Sequence, residues 1–213
     1  MVKVRINGAD YEVKTLWEEV DADRLMVCET FREELAVMST IPADLIGKAS
    51  EIQLFPFYTL ISFLYEVDEL PMVEAVNIEN ESYEKLELCK QRIQTGKTYN
   101  KLLKAARTYY PEENKTVLLL SLGVSIVQQI SIFLAKYTEM TEAEHENDEI
   151  VAGIDRLTAF GAWGTAFTLA GKDVLKLRGV LDMKAITVYE ALRYNFREAK
   201  YMKRLFEIKN PKK

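Results

Sequence analysis

Apolar and polar residues alternate at the very start of the chain. Val2, Val4 and Ile6 are interleaved with Lys3 and Arg5, and Tyr11 and Val13 with Asp10 and Glu12. A period of two residues is the mark of a half-buried strand. Between the two runs, Asn7-Gly8 supplies the two positive φ angles of a type I′ turn. A two-residue loop there sets Val4 opposite Tyr11 and Val2 opposite Val13 on one face. The other face then pairs Arg5 with Asp10 and Lys3 with Glu12, so apolar contacts and opposite charges fall on separate sides. An isolated hairpin is marginally stable, and Trp17 with the following helices is expected to cover its apolar face.

Beyond residue 20 the period lengthens to that of a helix. Leu25, Cys28, Phe31, Leu35 and Met38 recur at spacings of three and four, predicting one helix capped by Asp21. Ile41-Pro42 ends it and opens a short helix through Ile46, and Ser50-Glu51-Ile52-Gln53 has the form of a capping box. Pro56 predicts a break or restart, and the crowded aromatics Phe55, Phe57, Tyr58, Phe63 and Tyr65 around and after it read as core. Residues 66–84 are acidic and irregular. Further helices are marked by Tyr83, Leu86, Cys89 and Ile93, and by Tyr99, Leu102, Leu103 and Ala106, the second stopping at Tyr110-Pro111. An uncharged helix over Val117–Ala135 precedes an acidic loop at 139–149. Ile150, Ile154, Leu157, Gly161 and Gly164 predict a helix whose glycines admit close packing, stopped near Gly171. The last helix, about 184–208, carries Val188, Leu192, Phe196, Ala199, Met202 and Phe206. The fold class is therefore mainly α: a helical bundle-like body at 21–213 behind a small N-terminal β-hairpin and lead-in at 1–20. The body is either one compact domain or two interlocked helical halves, about 21–110 and 111–213.

Composition narrows the class without naming a chemistry. The 213 residues, 48% hydrophobic and 29% charged, suffice for a core without disulfide or metal, and exclude collagen-like and disordered chains. Cys28 and Cys89 form no C-x-x-C pair, which fits buried thiols in a reducing compartment. The first residues lack the apolar core of a secretion signal, so a cytoplasmic protein is expected. Charge is distributed unevenly. Residues 1–150 hold 15 basic and 27 acidic side chains, whereas residues 151–213 hold 13 and 6, within a chain of net charge −5. Halves of opposite sign suit weak self-association or an oppositely charged partner.

No pattern anchors an enzyme. Gly96-Lys97-Thr98 matches the end of a phosphate-binding loop, but the position five residues before Gly96 is Gln91, in a helical segment. A helix terminus is the better reading. His145, the single histidine, sits in the acidic run Glu142–Asp148 without the partners of a triad or a zinc site, and the spacing is not that of an EF-hand. No cofactor and no metal are expected. The uncharged segment Val117–Ala135 has the length of a membrane span, yet Ser121, Ser125, Gln128 and Gln129 form a polar stripe across it, which favours a protein core over a membrane. Two basic stripes stand out as candidate interaction surfaces. Arg193, Arg197, Lys200 and Arg204 follow i, i+4, i+7, i+11 on the last helix, and Lys97, Lys101 and Lys104 form a shorter stripe. With no stacking aromatics of a nucleic-acid motif around them and an acidic chain overall, they point to an acidic protein surface: another copy, a different helical protein, or the chain's own loop at 139–149.

The order of features resembles the small tail-assembly chaperones of long-tailed bacteriophages, the partners of the tape-measure protein. The resemblance rests on the hairpin Val4–Val13 followed by Trp17-Glu18-Glu19-Val20, on Leu35–Pro42, and on the apolar run through Phe63-Leu64-Tyr65. A fainter likeness joins Val180–Met183 and Tyr201–Leu205 to the closing helix of phage tail and baseplate proteins. The resemblance implies a non-enzymatic assembly chaperone in the host cytoplasm, which coats a long helical tape-measure chain and carries no catalytic residues. Seven Met and twenty Phe and Tyr residues suit such adaptable binding. A structural tail or baseplate subunit of the virion is the alternative, and a small nucleic-acid-binding regulator acting through the basic last helix is a further one.

Overall fold

A computed structural model describes residues 1–6, 9–16, 19–65, 70, 73–141, 156 and 159–210. The fold is mainly α with a two-stranded N-terminal hairpin. The chain divides into two compact units that alternate along the sequence, Met1–Ala75 with Cys89–Gln128, and Val76–Leu88 with Gln129–Lys213.

In the first unit, β1 (Val2–Ile6) and β2 (Ala9–Val13) pair antiparallel with Val2 facing Val13, Lys3 facing Glu12, Val4 facing Tyr11 and Arg5 facing Asp10. This is the register the alternation predicts. Arg5 donates to both Asp10 carboxylate oxygens, at 2.6 and 3.0 Å. Asn7, Gly8 and Trp17 lie outside the described residues. The second edge of β2 is covered by Met38–Thr40. Lys14 N donates to Met38 O at 2.7 Å and Thr40 N to Glu12 O at 2.9 Å, which closes an edge open to strand pairing.

The stretch read as one helix from Leu25 to Met38 is two, α1 (Ala22–Met26) and α2 (Phe31–Met38). Asp21 caps α1, accepting from the Asp23 and Arg24 amides. The break follows from Thr30-x-x-Glu33, a reciprocal capping box that satisfies the amides of a new helix start. α3 (Ala43–Lys48) opens after Pro42, and α4 (Glu51–Leu60) opens at Ser50, whose amide donates to Gln53 Oε1 at 2.8 Å. Pro56 does not break α4. The missing amide forfeits one bond, while buried Leu54 before it and core-packed Phe57 after it hold the helix in place. A 3₁₀ turn at Ser62–Tyr65 follows. α5 (Tyr83–Ile93) and α7 (Thr116–Ala135) each contribute residues to both units, and α6 (Thr98–Tyr109) lies wholly in the first. Tyr99, Leu102, Leu103, Ala106, Leu119, Leu120 and Leu122 join Val13, Leu25, Met38 and Leu64 in one buried cluster.

α7 meets α6 backbone to backbone. A methyl group added at Gly123 would lie 2.2 Å from the Leu102 carbonyl oxygen. Of Gly161 and Gly164, where the sequence predicts close glycine packing, Gly161 has φ +48° and, among the described residues, nothing within 4 Å of an added methyl. By length and composition α7 could cross a membrane, and half of its most apolar window is buried within the protein. Ser125 on its polar stripe is buried and donates to Val73 O at 2.5 Å.

The second unit contains a 3₁₀ turn at Ile78–Asn80, the first part of α5, the end of α7, and α8 (Thr138–Thr141), α9 (Gly161–Leu169), α10 (Val174–Leu181) and α11 (Ala185–Lys209). α10, missed in the sequence, follows a turn with positive φ at Gly171 and Lys172 and is capped by Asp173, which accepts from Leu175 N at 2.9 Å. Tyr83 N donates to Met183 O and Ala185 N to Glu81 O, both at 2.8 Å, tying the start of α11 to the start of α5. His145, most of the acidic loop, and Ile150, Ile154 and Leu157 lie outside the described residues.

Candidate interaction surface

α11 changes character along its length. Its first turn buries Ala185, Val188 and Tyr189. Tyr189 packs edge-on to Tyr83 and Phe133, with centroids 6.2 and 4.9 Å away, and lies 5.1 Å from the Tyr137 ring. The phenols face carboxylates: Tyr189 donates to Glu87 at 2.9 Å and Tyr137 to Glu190 at 3.0 Å. Burial, reinforced by the hydrogen bond to Glu190, pushes Tyr137 up to about 12. Burial next to Glu87 raises Tyr189 further. Both phenols therefore stay neutral donors near pH 7, which serves packing and hydrogen bonding.

Past Phe196 the helix loses its cover. Tyr201, Met202, Phe206 and Ile208 are exposed, Phe206 at 68% and Ile208 at 76%, as is Tyr194 just before Phe196. Met202 and Phe206 continue the apolar face of Val188, Leu192 and Phe196 that the sequence marks on this helix. Tyr194, Tyr201, Leu205 and Ile208, at spacings of seven, four and three, make a second apolar line that the sequence reading passed over. Apolar side chains on two sides of one exposed helix end are unusual for a surface that faces water alone.

The basic stripe of α11 runs between those lines. Arg193 pairs with Glu190 and lies 5.5 Å from the Tyr137 ring centre. Arg197 donates through Nε and Nη2 to Glu139 Oε1, at 3.1 and 2.7 Å. Lys200 Nζ sits 4.2 Å above the Phe196 ring, and Arg204 is exposed. The stripe thus leans toward its own chain at its first two positions and opens to solvent at its last two. Of the internal and intermolecular partners expected from the sequence, Glu139 supplies an internal one.

The shorter stripe belongs to the other unit. Lys97 pairs with Glu34, a carboxylate with no solvent exposure that also accepts from the Tyr99 hydroxyl. Lys97 is the N-cap of α6, where a cation opposes the helix dipole, and Glu34 compensates it. Lys101 and Lys104 on the same helix are half-buried. The seven basic residues therefore form two separate features, and Lys97 has a structural partner. Cys28 and Cys89 are free and buried, and burial pushes both thiols up to about 11, which keeps them unreactive near neutrality. Among the described residues no group of three or more His, Cys, Asp or Glu side chains could hold a metal ion. Comparison with family models, curated proteins and solved structures finds no match to this chain.

Proposed function

We propose that the protein is a binding-type assembly chaperone that shields a long, partly apolar helical chain, and that α11 is its principal contact. The observation that carries this reading is the exposure of Tyr201, Met202, Phe206 and Ile208 beside Lys200 and Arg204. An amphipathic helix of acidic character would set its apolar residues against these side chains and its carboxylates against the two cations. Methionine and tyrosine suit a partner whose sequence varies along its length, because they adapt at low entropic cost. The resemblance of the first third of the chain to phage tail-assembly chaperones supports the tape-measure protein as that partner, with the host cytoplasm as the place of action.

Two measurements test the proposal. Phe206→Asp with Met202→Asp should weaken capture of a co-expressed tape-measure helix by about tenfold or more, as removal of central apolar anchors does. Unchanged capture would remove α11 from the interface. Mass spectrometry of purified particles should find the protein absent while infected-cell lysates contain it. Its presence in the particle would replace the chaperone with a structural tail or baseplate subunit.

A further inference from the structure

A second surface feature lies in the first unit, away in sequence from α11. Met26 at the end of α1, the C-terminal end of α5, the loop after it and the outer face of α6 border an open surface cavity of about 360 Å³, lined by Met26, Gln91, Arg92, Thr95, Lys104 and Arg107, of which Gln91, Arg92 and Thr95 are solvent-exposed. Three of the six side chains are cations in a chain whose net charge is −5. Arg107 is held rigidly: Nε donates to Asp23 at 2.7 Å, and Nη1 to the Pro111 and Glu113 carbonyls. Arg92 is positioned by its Nη1 bond to Thr108 Oγ1 at 3.3 Å. Lys104 Nζ turns back along α6 to within 3.7 Å of the point where a side chain on Gly96 would begin, which sets its ammonium beside the loop after α5. Among the described residues no carboxylate pairs with Lys104 or Arg92. Asp23 offsets the charge of Arg107, and the cavity retains a net charge of two positive units.

We propose that this cavity binds a phosphate-type dianion carried by a small molecule. Two uncompensated cations match the charge of a phosphate monoester. Thr95 and Gln91 add uncharged donors, and Met26 offers an apolar wall to an organic substituent. The volume lies at the lower end of small-molecule sites, roughly 300–1,000 Å³. Lysine and arginine donate the short, charge-assisted bonds that phosphate oxygens accept. The site differs from a phosphate-binding loop, since side chains rather than successive loop amides supply the donors. It is also independent of the tail-chaperone reading, because none of its residues lies on α11.

The test uses the full chain and isothermal titration calorimetry at low ionic strength. Inorganic phosphate and pyrophosphate should bind with a one-to-one stoichiometry, pyrophosphate more tightly. Lys104→Met, which keeps the aliphatic stem, and Arg92→Gln should each weaken binding about tenfold or more. Lys200→Met on the other unit should leave it unchanged, and circular dichroism should confirm that all three variants are folded. A parallel sedimentation arm with phosphatidic acid in phosphatidylcholine vesicles separates the sources. Capture by vesicles without binding of soluble phosphate would overturn the small-molecule assignment. No binding of either soluble anion at millimolar concentration, or equal loss from Lys104→Met and Lys200→Met, would overturn the site itself.

Discussion

Replacing Gly123 by alanine should destabilise the protein, although the same exchange stabilises an open helix. In a helix interior alanine exceeds glycine by roughly 0.5–1 kcal/mol, because glycine loses more backbone freedom on folding. Gly47 in α3 and Gly179 in α10 are open, with nothing within 4 Å of an added methyl. At Gly123 the methyl would meet the Leu102 O, C and Cα at 2.2, 2.6 and 2.8 Å. These are backbone atoms that no rotamer change can move aside. Restoring ordinary contact requires α6 and α7 to part by about 1 Å, which loosens the packing of Leu103, Leu119 and Leu120. Overpacking of this kind costs about 1–3 kcal/mol and occasionally more. Set against the gain in helix propensity, Gly123→Ala should be net destabilising by roughly 1–2 kcal/mol. For a chain of this size that lowers the melting temperature by about 2–8 °C. Gly47→Ala, in the same unit, and Gly179→Ala should instead hold or raise it. Urea and thermal unfolding of the three variants give the comparison. If Gly123→Ala is as stable as Gly47→Ala, α6 and α7 do not approach through their backbones.

Three further outcomes follow from individual contacts. Lys97→Met leaves the Glu34 carboxylate buried without its cation and should cost about 2–3 kcal/mol, less than a fully enclosed pair because Lys97 itself is 30% exposed; Glu34→Leu in the same chain should recover much of that loss, and additive urea midpoints in the double variant would refute the pairing. Arg197→Glu removes an exposed pair with Glu139 and should change stability by less than about 1 kcal/mol; a larger change would mean that the stripe holds the second unit together. Cys28 and Cys89 ionise at about 11 when folded and near ~8.5 when unfolded, so their stabilising contribution is complete below the lower value and is lost as pH rises toward the upper one. Urea midpoints should fall across that window, less steeply in Cys89→Ala. A thiol reagent at pH 7.5 should label both residues only after denaturant is added, and rapid labelling of the native chain would contradict their burial.

Features whose physics is local can be read directly from the order of residues. The hairpin register follows from a two-residue alternation, because a slip by one position would turn Val4, Tyr11 and Val13 to the wrong face. The caps at Asp21 and Ser50 and the stop at Tyr110-Pro111 depend on residues within one turn of the helix end, and all three are legible in the chain. Thr30-x-x-Glu33 is equally local, but the continuous apolar spacing from Leu25 to Met38 masks the helix start that it caps. Other features depend on contacts between residues far apart in the chain. The spacing of Val188, Leu192, Phe196, Met202 and Phe206 states that one face of α11 is apolar, but whether that face is covered depends on which elements lie against it, and cover ends after Phe196. Pro56 within α4 and the narrow approach at Gly123 are likewise settled by neighbours distant in sequence, since a broken hydrogen bond or a missing side chain has no meaning until the packing around it is fixed. The same holds for charge. Lys97 and Lys104 lie seven residues apart on one stripe, yet Glu34, sixty-three residues away, makes one of them structural, while the fold sets the other in a cavity beside Arg92 and Arg107. Periodicity assigns a residue to a face of its own helix, and long-range contacts decide what that face meets.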